Sequence, residues 1–166
     1  MPHKTNAARI LDQLKIPYQL QEFNVDPEDL SAAHAATSIG IPADKIYKTI
    51  VMRGKVNPYL VAVLPSNAHI DLKKAAKAAG DKNCELIHVK ELPQVTGYIR
   101  GGCSPVGMKK NFSTFIDITA NEKDQIYVSA GKRGMLMLVK PDDLARAANA
   151  VFADLQAEFS EEPGEK

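Results

Sequence analysis

Short apolar alternations, broken at irregular intervals by equally short helical stretches, constrain this chain more than any other feature. Tyr18 and Leu20 alternate with Gln19 and Gln21, the period of two expected of a half-buried strand. Lys48 to Met52 and Tyr59 to Leu64 read as strands joined by the short loop Arg53-Gly54-Lys55-Val56-Asn57. Leu86 to Val89, Phe115 to Ile118, Gln125 to Ser129 and Met135 to Val139 read as further strands. Between them, Ala7, Ile10, Leu11 and Leu14 fall on one helical face after the cap Thr5 and before Ile16-Pro17. Ser31 opens an alanine-rich helix that Gly40 closes. Asp71 caps Leu72 to Ala79, Glu91 to Val95 suits a single helical turn, and Pro141 begins a last helix through Ala150. Strands outnumber helices and do not alternate with them regularly, which argues against a doubly wound βαβ fold. The pattern predicts a single α+β domain with a mixed, partly barrel-like β-sheet flanked by short helices.

The chain's 166 residues suit one domain, since domains run to roughly 100–200 residues. We expect that domain over 1–159 and a frayed acidic tail over 160–166. With 45% hydrophobic and 25% charged residues, the composition is that of a globular protein and argues against disorder. The net charge of +1 does not announce tight, sequence-blind nucleic-acid coating, although transient RNA contact needs only a local basic face. Cys84 and Cys103 make no CxxC pair and are too few for a disulfide scaffold. Two free thiols are expected, in a reducing compartment. No apolar leader or bilayer-length stretch is present, so a cytoplasmic location without membrane contact is expected.

Familiar catalytic signatures are missing. The histidines His3, His34, His69 and His88 are scattered, and neither HExxH nor paired cysteines occur, so no metal and no cofactor are expected. Gly102 to Gly107 has the spacing of a phosphate loop, but Met108 stands where that loop needs its lysine. A GxSxG elbow is absent. Cys103 has no histidine near it in sequence and reads as a small loop residue.

What remains is a set of glycines, hydroxyls and cations at strand ends. Its pieces are Tyr47-Lys48-Thr49, Thr96-Gly97-Tyr98, the Gly101 to Gly107 loop, and Ser129-Ala130-Gly131-Lys132-Arg133-Gly134. Together they suggest a pocket where backbone N–H groups approach a ligand and nearby cations hold its phosphates. Arg100, Lys109, Lys110, Lys132 and Arg133 flank these loops. Lys73, Lys74 and Lys77 lie on one predicted helix, where they serve either as a solvated face or as RNA backbone contacts.

In this order and spacing the motifs resemble the YbaK family of Cys-tRNA(Pro) deacylases, which are related to the editing domain of bacterial prolyl-tRNA synthetases. The resemblance runs from about Ile16 to Leu155 and includes Asn67 and Asp71-Leu72-Lys73-Lys74-Ala75-Ala76. It implies catalytic roles for Lys48, Gly101 and Ser129, and substrate contacts from Phe23, Thr49, Gly102 and Arg133. Lys73, Lys74, Lys77, Lys109, Lys110 and Lys132 are the candidates for tRNA backbone contact. Phe23 stands where relatives often have tyrosine, Cys103 where an aliphatic residue is usual, Ala130 where glycine occurs, and Leu136 where some have an acid. These departures bear on which amino acid is accepted more than on the class of reaction.

The implied activity is release of cysteine from mischarged Cys-tRNA(Pro), with the substrate's own thiol attacking its ester carbonyl. A thiol with a pKa near ~8.5 is already a few per cent thiolate at neutral pH, and the thiolate is a strong nucleophile. The implied partners are the acceptor end of tRNA and prolyl-tRNA synthetase. Two other readings suit the same residues: a deacylase for Ala-tRNA(Pro) or another small amino acid, and a non-catalytic RNA or nucleotide binder.

Overall fold

The computed structural model describes residues 4–158; the acidic tail expected over 160–166 lies outside the described residues. Helix α1 (Asn6–Gln13) starts at Thr5, whose side chain accepts from Ala8 N–H, and buries Ala7, Ala8 and Leu11. Strand β1 (Gln19–Glu22) follows, then α2 (Ala32–Ile39), capped by the Ser31 hydroxyl and closed by Gly40 in a left-handed conformation. The hairpin β2 (Tyr47–Gly54) and β3 (Leu60–Pro65) comes next, followed by α3 (Leu72–Ala78), which Asp71 caps through the Lys73 and Lys74 amides. After β4 (Cys84–Leu86) and α4 (Leu92–Thr96), the glycine loop leads to β5 (Ser113–Asp117). Strands β6 (Ile126–Lys132) and β7 (Met135–Val139), helix α5 (Pro141–Ala148) and strand β8 (Ala150–Ala153) complete the described chain.

The strands form two sheets. One is three-stranded and antiparallel in the order β1-β7-β6. The other is five-stranded and mixed in the order β4-β2-β3-β5-β8, with β5 parallel to both β3 and β8. An isolated bridge from Ile46 to Tyr127 stitches the start of β2 to β6. The largest apolar cluster lies along this seam, where Tyr47, Val63 and Ile116 meet Ile126, Val128, Met137, Leu11 and Leu144. A second cluster packs Ala75 and Ala76 of α3 against Met52, Leu60, Ala62 and Phe115. The α+β class is therefore as expected, and the strands make two joined sheets rather than a closed barrel.

Two local expectations are corrected. The strand expected at Leu86 to Val89 lies at Cys84–Leu86, because His88 begins a tight turn in which its N–H donates to Glu91 Oε2. The last helix stops at Ala148 rather than Ala150. Asn149 adopts a left-handed φ of 54°, which asparagine tolerates better than most residues, and the chain then runs out as β8 beside β5. Alternating and helical spacing cannot be told apart over so short an apolar run as Ala147 to Phe152.

Candidate functional site

A cavity of about 550 Å³ opens at the seam between the sheets. Its walls include Lys48 and Thr49 of β2, Ser129 of β6, Leu136 of β7, Phe23, Gly101 and Cys103. Leu30, Ser31 and Ala32 roof it from the start of α2. The reason for its place lies in β2. β2 pairs with β3 along its length, but on its other side β4 reaches only Met52 to Gly54. The first half of β2 therefore has one open edge, and the cavity occupies it.

Lys48 is half-buried, and its ammonium donates to the Ala68 carbonyl at 2.5 Å and to the Ser66 carbonyl at 3.4 Å. No carboxylate pairs with it among the described residues. Burial lowers its pKa from the ordinary lysine value, because a desolvated cation without a counter-charge is costly. The result is a positive charge held by neutral dipoles and free to meet an anion. Beside it, Thr49 Oγ1 is the one buried side-chain polar atom without a hydrogen-bond partner among the described residues. Such an atom costs about 1–3 kcal/mol when left unpaired, and this one sits in the cavity wall. Ser129 Oγ accepts from Gly131 N–H at 3.1 Å, which leaves its hydroxyl proton available to donate.

The glycine loop supplies the opposite wall. Gly101 has a φ of 86°, and a Cβ added there would stand 3.3 Å from Leu30 Cβ. Glycine thus allows both the turn and the close approach of the roof. Its amide has no acceptor among the described residues. Gly102 differs from its expected role: its N–H donates to the Ile99 carbonyl at 2.9 Å, and it does not line the cavity. An added Cβ would meet the backbone of Lys132 and Arg133 at 2.9 Å, so this glycine lets the loop lie directly on the β6–β7 turn. Tyr98 fastens the same loop by donating to the Val106 carbonyl at 2.6 Å, which places Thr96-Gly97-Tyr98 in support rather than in the cavity.

Cys103 faces the cavity, but burial pushes its thiol pKa up to about 12. It is a neutral wall at physiological pH, not a thiolate nucleophile. Arg133 Nε donates to the Arg100 carbonyl at 2.8 Å, and its side chain lies against Gly101. Arg133 and Lys132 border an open groove that adjoins the cavity at Phe23. The other expected tRNA contacts are dispersed. Lys74 is engaged with Asp154 and the Gln156 carbonyl, while Lys73 and Lys77 point outward beside a separate indentation on α3. Lys109 covers Gly97, and Lys110 borders a different cavity. Residue patterns alone missed Leu30 and the carbonyls of Ser66 and Ala68 as parts of the site, while Arg100, expected to flank these loops, does line the cavity. The missed positions carry no local signal, because their role is to be near residues far away in the chain.

Fold and cavity together define an α+β ligand-binding domain whose site offers a bare cation, free hydroxyls and a backbone amide. Residues 26–147 match the family model described as the aminoacyl-tRNA editing domain, and the chain belongs to that family. It is 47% identical over 152 residues, 92% of this chain and 93% of the relative, to the Enterococcus faecalis protein named "Putative Cys-tRNA(Pro)/Cys-tRNA(Cys) deacylase EbsC". It is 25% identical over 111 residues, 67% of this chain and 70% of the relative, to YwhH of Bacillus subtilis, an uncharacterized protein. The crystal structure of "a putative trans-editing enzyme for prolyl tRNA synthetase" superimposes with a TM-score of 0.77 at 21% identity, covering 94% of this chain and 99% of that one. That of a hypothetical protein superimposes at 0.83 with 22% identity, covering 92% and 100%. At these identities the two structures establish the shared fold. No helix among the described residues is long and apolar enough to cross a membrane.

Proposed function

We propose that this chain is a trans-editing deacylase that releases cysteine from mischarged Cys-tRNA(Pro). The observation that carries this reading is the juxtaposition, in one mostly apolar cavity, of the uncompensated Lys48 ammonium, the unpartnered Thr49 hydroxyl, Ser129 and the Gly101 amide. Membership of the editing family and the likeness to the Enterococcus protein support the same substrate class.

An aminoacyl ester is already activated, so the protein's share is positioning and charge stabilisation. The substrate thiolate attacks its own ester carbonyl. A sulfur–carbon bond forms, the ester carbon–oxygen bond breaks, and the tRNA 3′-terminal oxygen leaves and takes a proton. The product is a cyclic thioester that water then opens. The Gly101 N–H donates to the developing oxyanion. Lys48 holds the terminal ribose–phosphate end by charge, and Thr49 and Ser129 orient the aminoacyl group through their hydroxyls. Phe23 and Leu136 pack with Ala35 and Ile46 at one side of the cavity. This apolar wall suits a small uncharged side chain and disfavours a charged one. Lys132 and Arg133 in the adjoining groove meet the acceptor-end phosphates, and prolyl-tRNA synthetase supplies tRNA selection.

The test is deacylation of Cys-tRNA(Pro) beside Ala-tRNA(Pro) and Pro-tRNA(Pro), with and without the synthetase. Loss of cysteine alone, with selectivity for tRNA(Pro) sharpened by the synthetase, is the expected result. Loss of alanine instead would keep the reaction class and overturn the thiol route. Bound tRNA with every ester intact would overturn the deacylase reading.

A further inference from the structure

A second cavity, of about 470 Å³, lies at the other end of the β2–β3 hairpin. It is bounded by Asn57 to Tyr59 of the hairpin loop, by Glu91, Gln94 and Val95 around α4, and by Lys110 to Ser113 leading into β5. No residue lines both cavities, although Val89 of the first and Glu91 of the second are close in the chain. The second cavity is thus separate from the first.

Its chemistry is that of an aromatic floor with a polar rim. Tyr59 and Phe112, both half-buried, meet edge to face with ring centroids 5.5 Å apart at 71°. The Arg53 guanidinium stands 5.6 Å from the Tyr59 ring centre and pairs with Glu91, so the only carboxylate of the lining is neutralised. Gln94, Asn111 and Lys110 are exposed at the rim, and their side chains have no hydrogen-bond or ionic partner among the described residues. Of the residues assigned to the editing reaction, Lys110, a candidate for tRNA backbone contact, borders this cavity, and the proposed catalytic residues do not.

We propose that this cavity is a nucleotide subsite: an unpaired base packs on Tyr59 and Phe112, and Lys110 takes its phosphate. Gln94 and Asn111 each offer both a donor and an acceptor to the base edge. A purely apolar peptide side chain would use the floor alone and leave these three exposed rim groups to water. A base with its phosphate answers all of them, and stacking on aromatic rings is the usual way a single-stranded base is held. That the nucleotide belongs to tRNA rests on the editing function proposed above; the preference for a base over a peptide does not.

The experiment is an NMR titration of the full chain with cytidine 5′-monophosphate, adenosine 5′-monophosphate and ribose 5-phosphate. Saturable shifts of Tyr59, Phe112, Gln94 and Lys110 with both nucleotides, and weaker ones with ribose 5-phosphate, are expected. Phe112→Ala should weaken nucleotide binding roughly tenfold, and the surface changes Gln94→Ala and Lys110→Ala should each weaken it without touching the floor. Lys48→Ala should leave these shifts unchanged. Equal response to ribose 5-phosphate would reduce the site to an anion contact and overturn the proposal. So would no response to nucleotides, including the case where prolyl-tRNA synthetase alone perturbs these residues. No ester is present in the titration, so a failure of the deacylase reading does not decide its outcome. In the deacylation assay, Gln94→Ala and Lys110→Ala should raise KM severalfold at unchanged kcat.

Discussion

At the scale of single residues, the site depends on groups left unsatisfied. Lys48 is charged, half-buried and paired only with carbonyls, so it lowers the stability of the free protein while it prepares for an anion. Its folded pKa is lowered by burial. The charged form therefore destabilises the native state below that lowered value, and the cost is relieved as pH rises through it. Lys48→Met should raise Tm at neutral pH by about 2–4 °C, with the gain shrinking toward the ordinary lysine pKa, as read by thermal scans across pH. The same change should slow deacylation by about 100-fold or more, as expected for loss of a charge-stabilising group. In the wild type, single-turnover rates should rise as the substrate thiol ionises and then fall at a pH below the ordinary lysine pKa as Lys48 loses its proton. Thr49→Val gives a complementary test. It removes a buried hydroxyl that has no partner among the described residues, so stability should hold or improve while kcat/KM falls about tenfold. Unchanged kcat/KM in that variant would remove Thr49 from the site.

At the scale of elements, one support shapes the cavity without touching the ligand, and another holds the far end of the β2–β3 hairpin. The loop carrying Gly101 is pressed against the β6–β7 turn at Gly102, where a Cβ would meet backbone at 2.9 Å. Gly102→Ala should cost about 1–3 kcal/mol by overpacking and lower kcat more than it raises KM, because it moves the Gly101 amide. The β2–β3 hairpin is clamped by Asp81, whose carboxylate accepts from the amides of Lys55, Val56 and Asn57 and from the Asn57 side chain. Those bonds, the Asn57 amide foremost, hold its pKa well below the usual carboxylate range. A depressed pKa contributes stability that is full above the ordinary carboxylate value and lost only as pH falls through the lowered one. Asp81→Asn should therefore lower Tm by about 5 °C at neutral pH, and the difference from wild type should close only in strong acid. The caps at Thr5, Ser31 and Asp71 were legible because each depends on its immediate neighbours. β8 was not, since Ala150 to Ala153 becomes a strand by lying beside β5 rather than by any strong local preference.

At the scale of the whole molecule, the cavity exists because two sheets meet at one short bridge and leave half of β2 open. Ligand there should bind both sheets together. A non-hydrolysable cysteinyl-adenosine analogue should slow hydrogen exchange at Thr49 in β2, at Gly101 in the loop and at Ser129 in β6 together; protection confined to one sheet would contradict a shared site. The sequence by itself determined the α+β class, most helix limits and the identity of Lys48, Thr49, Gly101 and Ser129 as candidates, because periodicity, caps and ordered motifs are local properties. Only the tertiary structure decided that the Gly102 amide is already bonded, that Lys74 is engaged elsewhere, that Leu30 lines the cavity and that two carbonyls hold Lys48. The physical reason is that hydrogen-bond partners and burial depend on which distant segments pack together, and the spacing of residues along a chain does not specify that.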